Sequence, residues 1–214
     1  TAVVDAAFEH GVTFFDTADV YGESEVLLGK ALAGRRDDVV VATKFGMDLD
    51  GRNGDDGGHR GSAAYVRTAI EASLQRLGTD RVDLYQLHTP DPSTPIEETL
   101  GALNELVIEG KVLAIGSSNL QAWQVVDADW VSKTKGYASF VTAQNEYSLY
   151  NRTAETELAP ACVELGIGIL PYIPLAGGLL AGKYRRGSPP PEGPRLALWG
   201  RRGEAIMSEG NFGI

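Results

Sequence analysis

Four residue types able to move a proton stand at or just behind short apolar runs. Asp16 and Tyr21 lie in Phe15-Asp16-Thr17-Ala18-Asp19-Val20-Tyr21-Gly22, Lys44 follows Thr43, and His88 follows Leu87. Each run reads as a β-strand, and strand ends in a repeating β/α chain are where such folds place chemistry. A phenol has an unperturbed pKa of about 10, too high for efficient proton exchange at neutral pH. A neighbouring ammonium favours the phenolate and lowers that pKa. Lys44 is the candidate ammonium, and Asp16 the carboxylate that would keep it charged and oriented. His88 could donate a hydrogen bond to a carbonyl oxygen and aim it. Taken singly, these are a turn aspartate, a loop aromatic, a solvated lysine and a capped histidine. Taken together at converging strand ends, they make a proton-donating site.

Two further groups follow later strands. Gly116-Ser117-Ser118-Asn119 and Gln144-Asn145 offer hydroxyls and amides, and an amide both donates and accepts. Pro171-Tyr172-Ile173-Pro174-Leu175-Ala176-Gly177-Gly178 leads on to Lys183-Tyr184. Paired glycines permit close backbone approach, and N–H groups in such a loop can bind pyrophosphate. No Gly-x-Gly-x-x-Gly fingerprint follows a strand, which argues against a Rossmann site. Three scattered histidines and one cysteine make no metal cluster.

The elements that must position these groups alternate in period. Strand-like runs fall at Val12–Phe15, Val39–Thr43, Val82–Gln86, Val112–Ser117, Phe140–Gln144 and Gly168–Tyr172. Helical stretches fall between them at Ala2–Glu9, Ser24–Ala33, Ala63–Leu77, Ile96–Glu109, Gln121–Asp129 and Thr153–Leu165. Val66, Ile70, Leu74 and Leu77 recur at helical spacing. Thr94 and Glu97 read as a capping box, with Pro95 at the first helical position and Gly110 ending that helix. Continuous apolar strands alternating with helices imply a parallel sheet covered by helices, either doubly wound or closed into a barrel. Gly46–Gly61 and Gly187–Pro194 carry no apolar period and read as loops on the same side as the strand ends.

Composition narrows the partners. The 214 residues suffice for one sizeable core, and 43% hydrophobic with 22% charged content is that of an ordinary globular chain. A net charge of −10 argues against nucleic acid and anionic membrane as partners, though a local loop can still hold phosphate. One cysteine excludes an internal disulfide and fits a reducing cytoplasm. No apolar run reaches the length of a membrane span, and no basic-then-apolar leader opens the sequence. The expected location is cytoplasmic, and the expected partner a small molecule.

On these motifs the chain resembles the aldo-keto reductases, most specifically through Asp-Thr-Ala-x-x-Tyr-Gly-x-Ser-Glu at positions 16 to 25, together with Thr43-Lys44 and Leu87-His88. The nearest branch is the one with bacterial stress-type reductases and potassium-channel β-subunits. The resemblance covers nearly the whole chain and decides for an α/β fold of the (β/α)8 TIM-barrel type. It makes Val12–Phe15 the second barrel strand and Gly168–Tyr172 the seventh. Strands one and eight are then missing, and residues 1–214 form a single, partial barrel domain with one gap. The resemblance also implies NAD(P)H-dependent reduction of aldehydes and ketones, with Tyr21 as general acid beside Asp16, Lys44 and His88. NADPH is the expected cofactor and NADH a possible one. Ser118, Asn119 and Gln144 would hold its carboxamide, and Tyr172 would stack on the nicotinamide. Ile173, Pro174, Leu175, Ala176, Gly177 and Lys183 would line the phosphates. The alternative function is a cofactor-binding regulatory subunit that senses redox state with little turnover.

Overall fold

The computed structural model describes residues 2–47, 58–186 and 195–207. Six strands, β1 Phe14–Asp16, β2 Val40–Phe45, β3 Val82–Leu87, β4 Val112–Ser118, β5 Phe140–Glu146 and β6 Gly168–Tyr172, form one sheet in sequence order. Every neighbouring pair is parallel. The connections carry helices α1 Ala2–Glu9, α2 Ser24–Leu32, α3 Ala63–Leu77, α4 Ile96–Ile108, α5 Ala122–Lys135 and α6 Leu158–Leu165. Two short helices, α7 Arg195–Leu198 and α8 Arg201–Ile206, follow the sheet.

The sheet is strongly curled. Gln144 on β5 donates from Nε2 to Asp16 Oδ1 on β1 at 3.1 Å. In a flat sheet four strand spacings of about 4.8 Å would hold them about 19 Å apart. The six strands form the arc of a (β/α)8 barrel, with β1 and β6 as its two edges among the described residues.

Parallel strands buried on both faces need continuous apolar runs. Accordingly β2 is buried from Val41 to Phe45, and β3 is buried at every residue except Asp83. The main core lies between sheet and helices, around Val66, Ile70, Tyr85, Leu100, Leu103 and Ile115. The aligned residues of α3 form its buried stripe. Ser62 caps that helix through Oγ, and Gly78 ends it in the left-handed conformation. Helix α2 meets the end of α3 through Gly29, where a β-carbon would lie 2.1 Å from the Leu77 carbonyl oxygen. A smaller cluster of Tyr184, Leu196 and Ile206 anchors the segment after β6.

Several boundaries differ from the sequence reading. Strand β1 begins at Phe14 and takes in Asp16, while β2 runs on through Lys44 to Phe45. Charged residues inside a strand break an apolar run in sequence yet pair normally in the ladder. Helix α5 continues to Lys135, because Val131 and Ser132 are buried and Gly136 stops it with φ of 70°. The stretch at 153–165 divides into a 3-10 turn, Thr153–Glu155, and helix α6. The capping box at Thr94 and Glu97 does not form. Thr94 Oγ1 donates instead to Asp91 Oδ2 at 2.7 Å, Glu97 pairs with Lys135, and Pro95 itself is the N-cap. Most of the Gly46–Gly61 loop, all of Gly187–Pro194 and the last seven residues lie outside the described residues.

Candidate active site

The four proton-active groups come together at the carboxyl ends of β1, β2 and β3. Lys44 is fully buried, and its Nζ donates to Asp16 Oδ2 at 2.5 Å and to the Thr17 carbonyl at 2.8 Å. The Tyr21 ring centre lies 5.1 Å from that ammonium, within cation–π range. The His88 ring meets Tyr21 edge-on at 5.7 Å. Tyr21 keeps 47% of its surface open, whereas His88 keeps only 6%. The phenol thus faces the opening while lysine and histidine form the inner wall.

Local backbone bonds explain the convergence. Thr17 N–H bonds to Ala42 and Asp19 N–H to Lys44, so the ladder of β1 continues beyond its last strand residue. A turn from Ala18 to Tyr21 then swings the phenol back over the strand end. Gly22 takes φ of 56°, and Thr17 Oγ1 donates to Ser24 at the start of α2. His88 N–H bonds to the Phe45 carbonyl at 2.7 Å, fixing its place beside β2.

Electrostatics follow from burial. His88 is pushed down from 6.5 to about 4, first by burial and then by the Lys44 charge, so the imidazole is neutral at pH 7. Its Nδ1 is buried with no hydrogen-bond partner among the described residues, which leaves Nε2 as the nitrogen able to carry a useful N–H. Burial also lowers Lys44, but Asp16 opposes this through charge and hydrogen bond. Tyr21 is raised, by burial first and then by Asp16, Tyr172 and Asp19. This is the reverse of the lowering by Lys44 that the sequence suggests. The ammonium lies 5.1 Å from the ring centre, but burial and the charges of Asp16, Tyr172 and Asp19 set the direction of the shift.

Ser118, Asn119, Gln144 and Tyr172 also meet at the strand ends. Tyr172 Oη donates to Asn119 Oδ1 at 2.8 Å, and Asn119 Nδ2 donates to the His88 carbonyl at 2.9 Å. Ser118 Oγ donates to the Gln144 carbonyl, while the Gln144 amide donates to Asp16. Asn119 holds φ of 59°, a conformation that a non-glycine residue keeps only where its surroundings fix it. Ile173 and Ala176 share this strain in the loop after β6, with φ of 53° and 47°. That loop, with Pro174, Leu175, Gly177 and Gly178, lines a cleft of about 390 Å³ flanked by Lys183 and Arg195.

Two residues escape the sequence reading. Gln86, fully buried on β3, donates from Nε2 to Asp16 Oδ1 at 3.2 Å. Its signal is a polar amide inside an apolar strand, two residues before His88. Arg195 lies beyond the Pro-rich stretch, where sequence pattern gives no hint that the chain returns to the cleft.

A curled parallel β/α sheet with an acid, a buried ammonium and a neutral imidazole at its carboxyl ends defines a barrel-type protein with a proton-transfer-capable site. Residues 1–200 match the aldo/keto reductase family, and the chain belongs to that family. It is 41% identical over 191 residues to "Uncharacterized oxidoreductase YrpG" of Bacillus subtilis (strain 168), covering 85% of this chain and 59% of that protein. It is 44% identical over 185 residues to "Probable aldo-keto reductase 1" of Glycine max, covering 85% of this chain and 51% of that protein. The chain therefore spans between half and three-fifths of the length of these relatives. No helix among the described residues is long and apolar enough to cross a membrane.

Proposed function

We propose that the chain carries the reaction centre of an NAD(P)H-dependent oxidoreductase that reduces aldehydes or ketones to alcohols, acting in the cytoplasm on a small carbonyl substrate. The observation that carries this reading is the buried Lys44 ammonium, paired at 2.5 Å with the solvent-accessible Asp16 and 5.1 Å from the ring centre of a half-open tyrosine, with a neutral histidine edge-on to that ring. Family membership and the oxidoreductase relatives support it.

The raised phenol keeps Tyr21 protonated at neutral pH, so a proton is always present to give. His88, neutral, would share the carbonyl oxygen through an N–H and fix its distance from Tyr21. When the Tyr21 proton moves to that oxygen, the phenolate left behind gains the attraction of Lys44, which Asp16 keeps in place. A stabilising interaction that strengthens as charge develops is the kind that raises rate.

A nicotinamide dinucleotide suits the residues present, with NADPH preferred by family resemblance. When bound it would supply the hydride. Asn119, Ser118 and Gln144 offer amide and hydroxyl groups to its carboxamide, and Tyr172 offers a ring at the end of β6. In the loop at Ile173 to Gly177 the backbone N–H groups of Leu175 and Gly177 are the ones to offer, since Pro174 has none and that of Ala176 bonds the Ile173 carbonyl; the Lys183 and Arg195 charges lie beside its cleft. At Gly178 a β-carbon would press on the Lys183 side chain at 3.3 Å, so the glycine leaves that cation its room.

The test is Tyr21→Phe in the intact protein, which keeps the ring and deletes the proton. Cofactor affinity should persist while carbonyl reduction falls by at least about 10²-fold, the scale of a general acid. Unchanged turnover would falsify the assignment.

A further inference from the structure

Asp16 is held by more than Lys44. Its Oδ2 takes the ammonium, while Oδ1 accepts from two neutral amides, Gln86 at 3.2 Å and Gln144 at 3.1 Å. The donors come from β2, β3 and β5, so three strands fix one carboxylate. Such a set leaves little freedom to rotate, because turning the carboxylate would break bonds on both oxygens at once.

Gln86 is itself constrained. Its Oε1 lies 3.4 Å from Thr142 Oγ1 on β5, which donates to it and turns the amide nitrogen toward Asp16. Strand β4 lies between these two residues, and a side chain there would block them. The residue in register with both is Gly116. A β-carbon on Gly116 would lie 2.2 Å from Thr142 Oγ1 and 3.2 Å from Gln86 Cγ. Glycine at this point is the gap through which β3 and β5 touch across β4.

We infer that Gln86 is a positioning residue of this site, aiming the Asp16 carboxylate at Lys44 through the Gly116 gap and the Thr142 hydroxyl. The inference rests on the carbonyl-reduction reading above. Among the described residues the hydrogen bonds of Gln86 run to Asp16 and Thr142, and it does not line the cleft after β6, so its route to the site is Asp16. Its effect falls on the proton-transfer step and not on cofactor affinity.

The experiment compares Gln86→Met, Gln86→Glu and Gly116→Ala with the unmodified intact protein. Methionine keeps length and burial but offers no donor. A hydrogen bond to a charged group lost in this way predicts a fall in kcat of about tenfold, with cofactor affinity by fluorescence quenching unchanged. In Gln86→Glu the introduced carboxyl faces Asp16 and must stay protonated to donate. Two carboxyls in one site raise one of their pKa values. Activity of this variant therefore falls as pH rises through that value, a limb that Gln86→Met lacks. Gly116→Ala should reproduce the kcat loss of Gln86→Met although residue 86 is untouched.

Lysine-selective 13C NMR gives a readout independent of turnover. Lys44, identified by its loss in Lys44→Arg, should titrate at lower pH in Gln86→Met, because a less well aimed Asp16 offsets less of its burial. If the unmodified protein reduces no carbonyl, the reaction assignment fails, and the NMR shift alone decides the positioning role. A Lys44 titration unchanged by Gln86→Met overturns the inference. So does wild-type kcat and pH dependence in both residue-86 variants while Tyr21→Phe is inactive.

Discussion

Acid should weaken this fold in a window set by His88. The imidazole is held neutral by burial and by the Lys44 charge, which move it from 6.5 to about 4. Between those values the unfolded chain binds a proton that the folded chain refuses. Stability is complete above pH 6.5 and declines as pH falls toward about 4. The gap of about 2.5 units (6.5 minus 4) corresponds to about 3 kcal/mol at about 1.4 kcal/mol per unit. The assay is urea unfolding of the intact protein between about pH 7 and about pH 4, for wild type and His88→Gln. Glutamine fills similar space but does not titrate. The wild-type curve should lose about 3 kcal/mol more than the variant across that range. Lys44→Met should shrink the difference without abolishing it, since burial, the larger cause, remains. Parallel curves for wild type and His88→Gln would refute a buried neutral histidine.

Other outcomes follow from particular contacts. At Asp91, burial opposes the charge, but bonds from Ser93, Gly61 and Thr94 outweigh it and hold the carboxyl at about 2. Asp91→Ala should cost about 2 kcal/mol in urea unfolding at neutral pH, and the wild-type contribution should fade only as pH drops from 3.8 toward 2. Lys44→Met leaves Asp16 without its cation, so turnover should vanish, while the accessible Asp16 carboxylate keeps its bonds from Gln86 and Gln144. A Lys44→Met protein of normal activity would remove lysine from the mechanism. Gly29→Ala should lower stability by about 1 to 3 kcal/mol despite alanine's better helix propensity, because its β-carbon would enter the Leu77 backbone. Steady-state turnover with simple aldehydes distinguishes a reductase from a regulatory subunit, which should turn over far less than once per second, against typical enzyme rates of about 1 to 10³ per second.

Much of the architecture is written in local pattern. Continuous apolar strands such as Val82–Leu87 and helical stripes such as Val66, Ile70, Leu74 and Leu77 specify a parallel β/α sheet, since burial on two faces and on one face demand different periods. Asp16, Tyr21, Lys44 and His88 were legible because each is a polar group where an apolar run ends. Their spacing also matches a family motif. Local pattern failed where the partner of a residue lies far along the chain. Thr94 and Glu97 have the spacing of a capping box, yet Asp91 and Lys135 claim them. The direction of the Tyr21 shift depended on its burial and on Asp16, Tyr172 and Asp19 around it, a matter of three-dimensional placement. Gln86 and Gly116 gain their roles only when curling brings β5 within a hydrogen bond of β1. Sequence determines which groups stand at the strand ends, because polarity and period are local. Tertiary structure decides what each group faces, because burial and charge belong to the whole curled sheet.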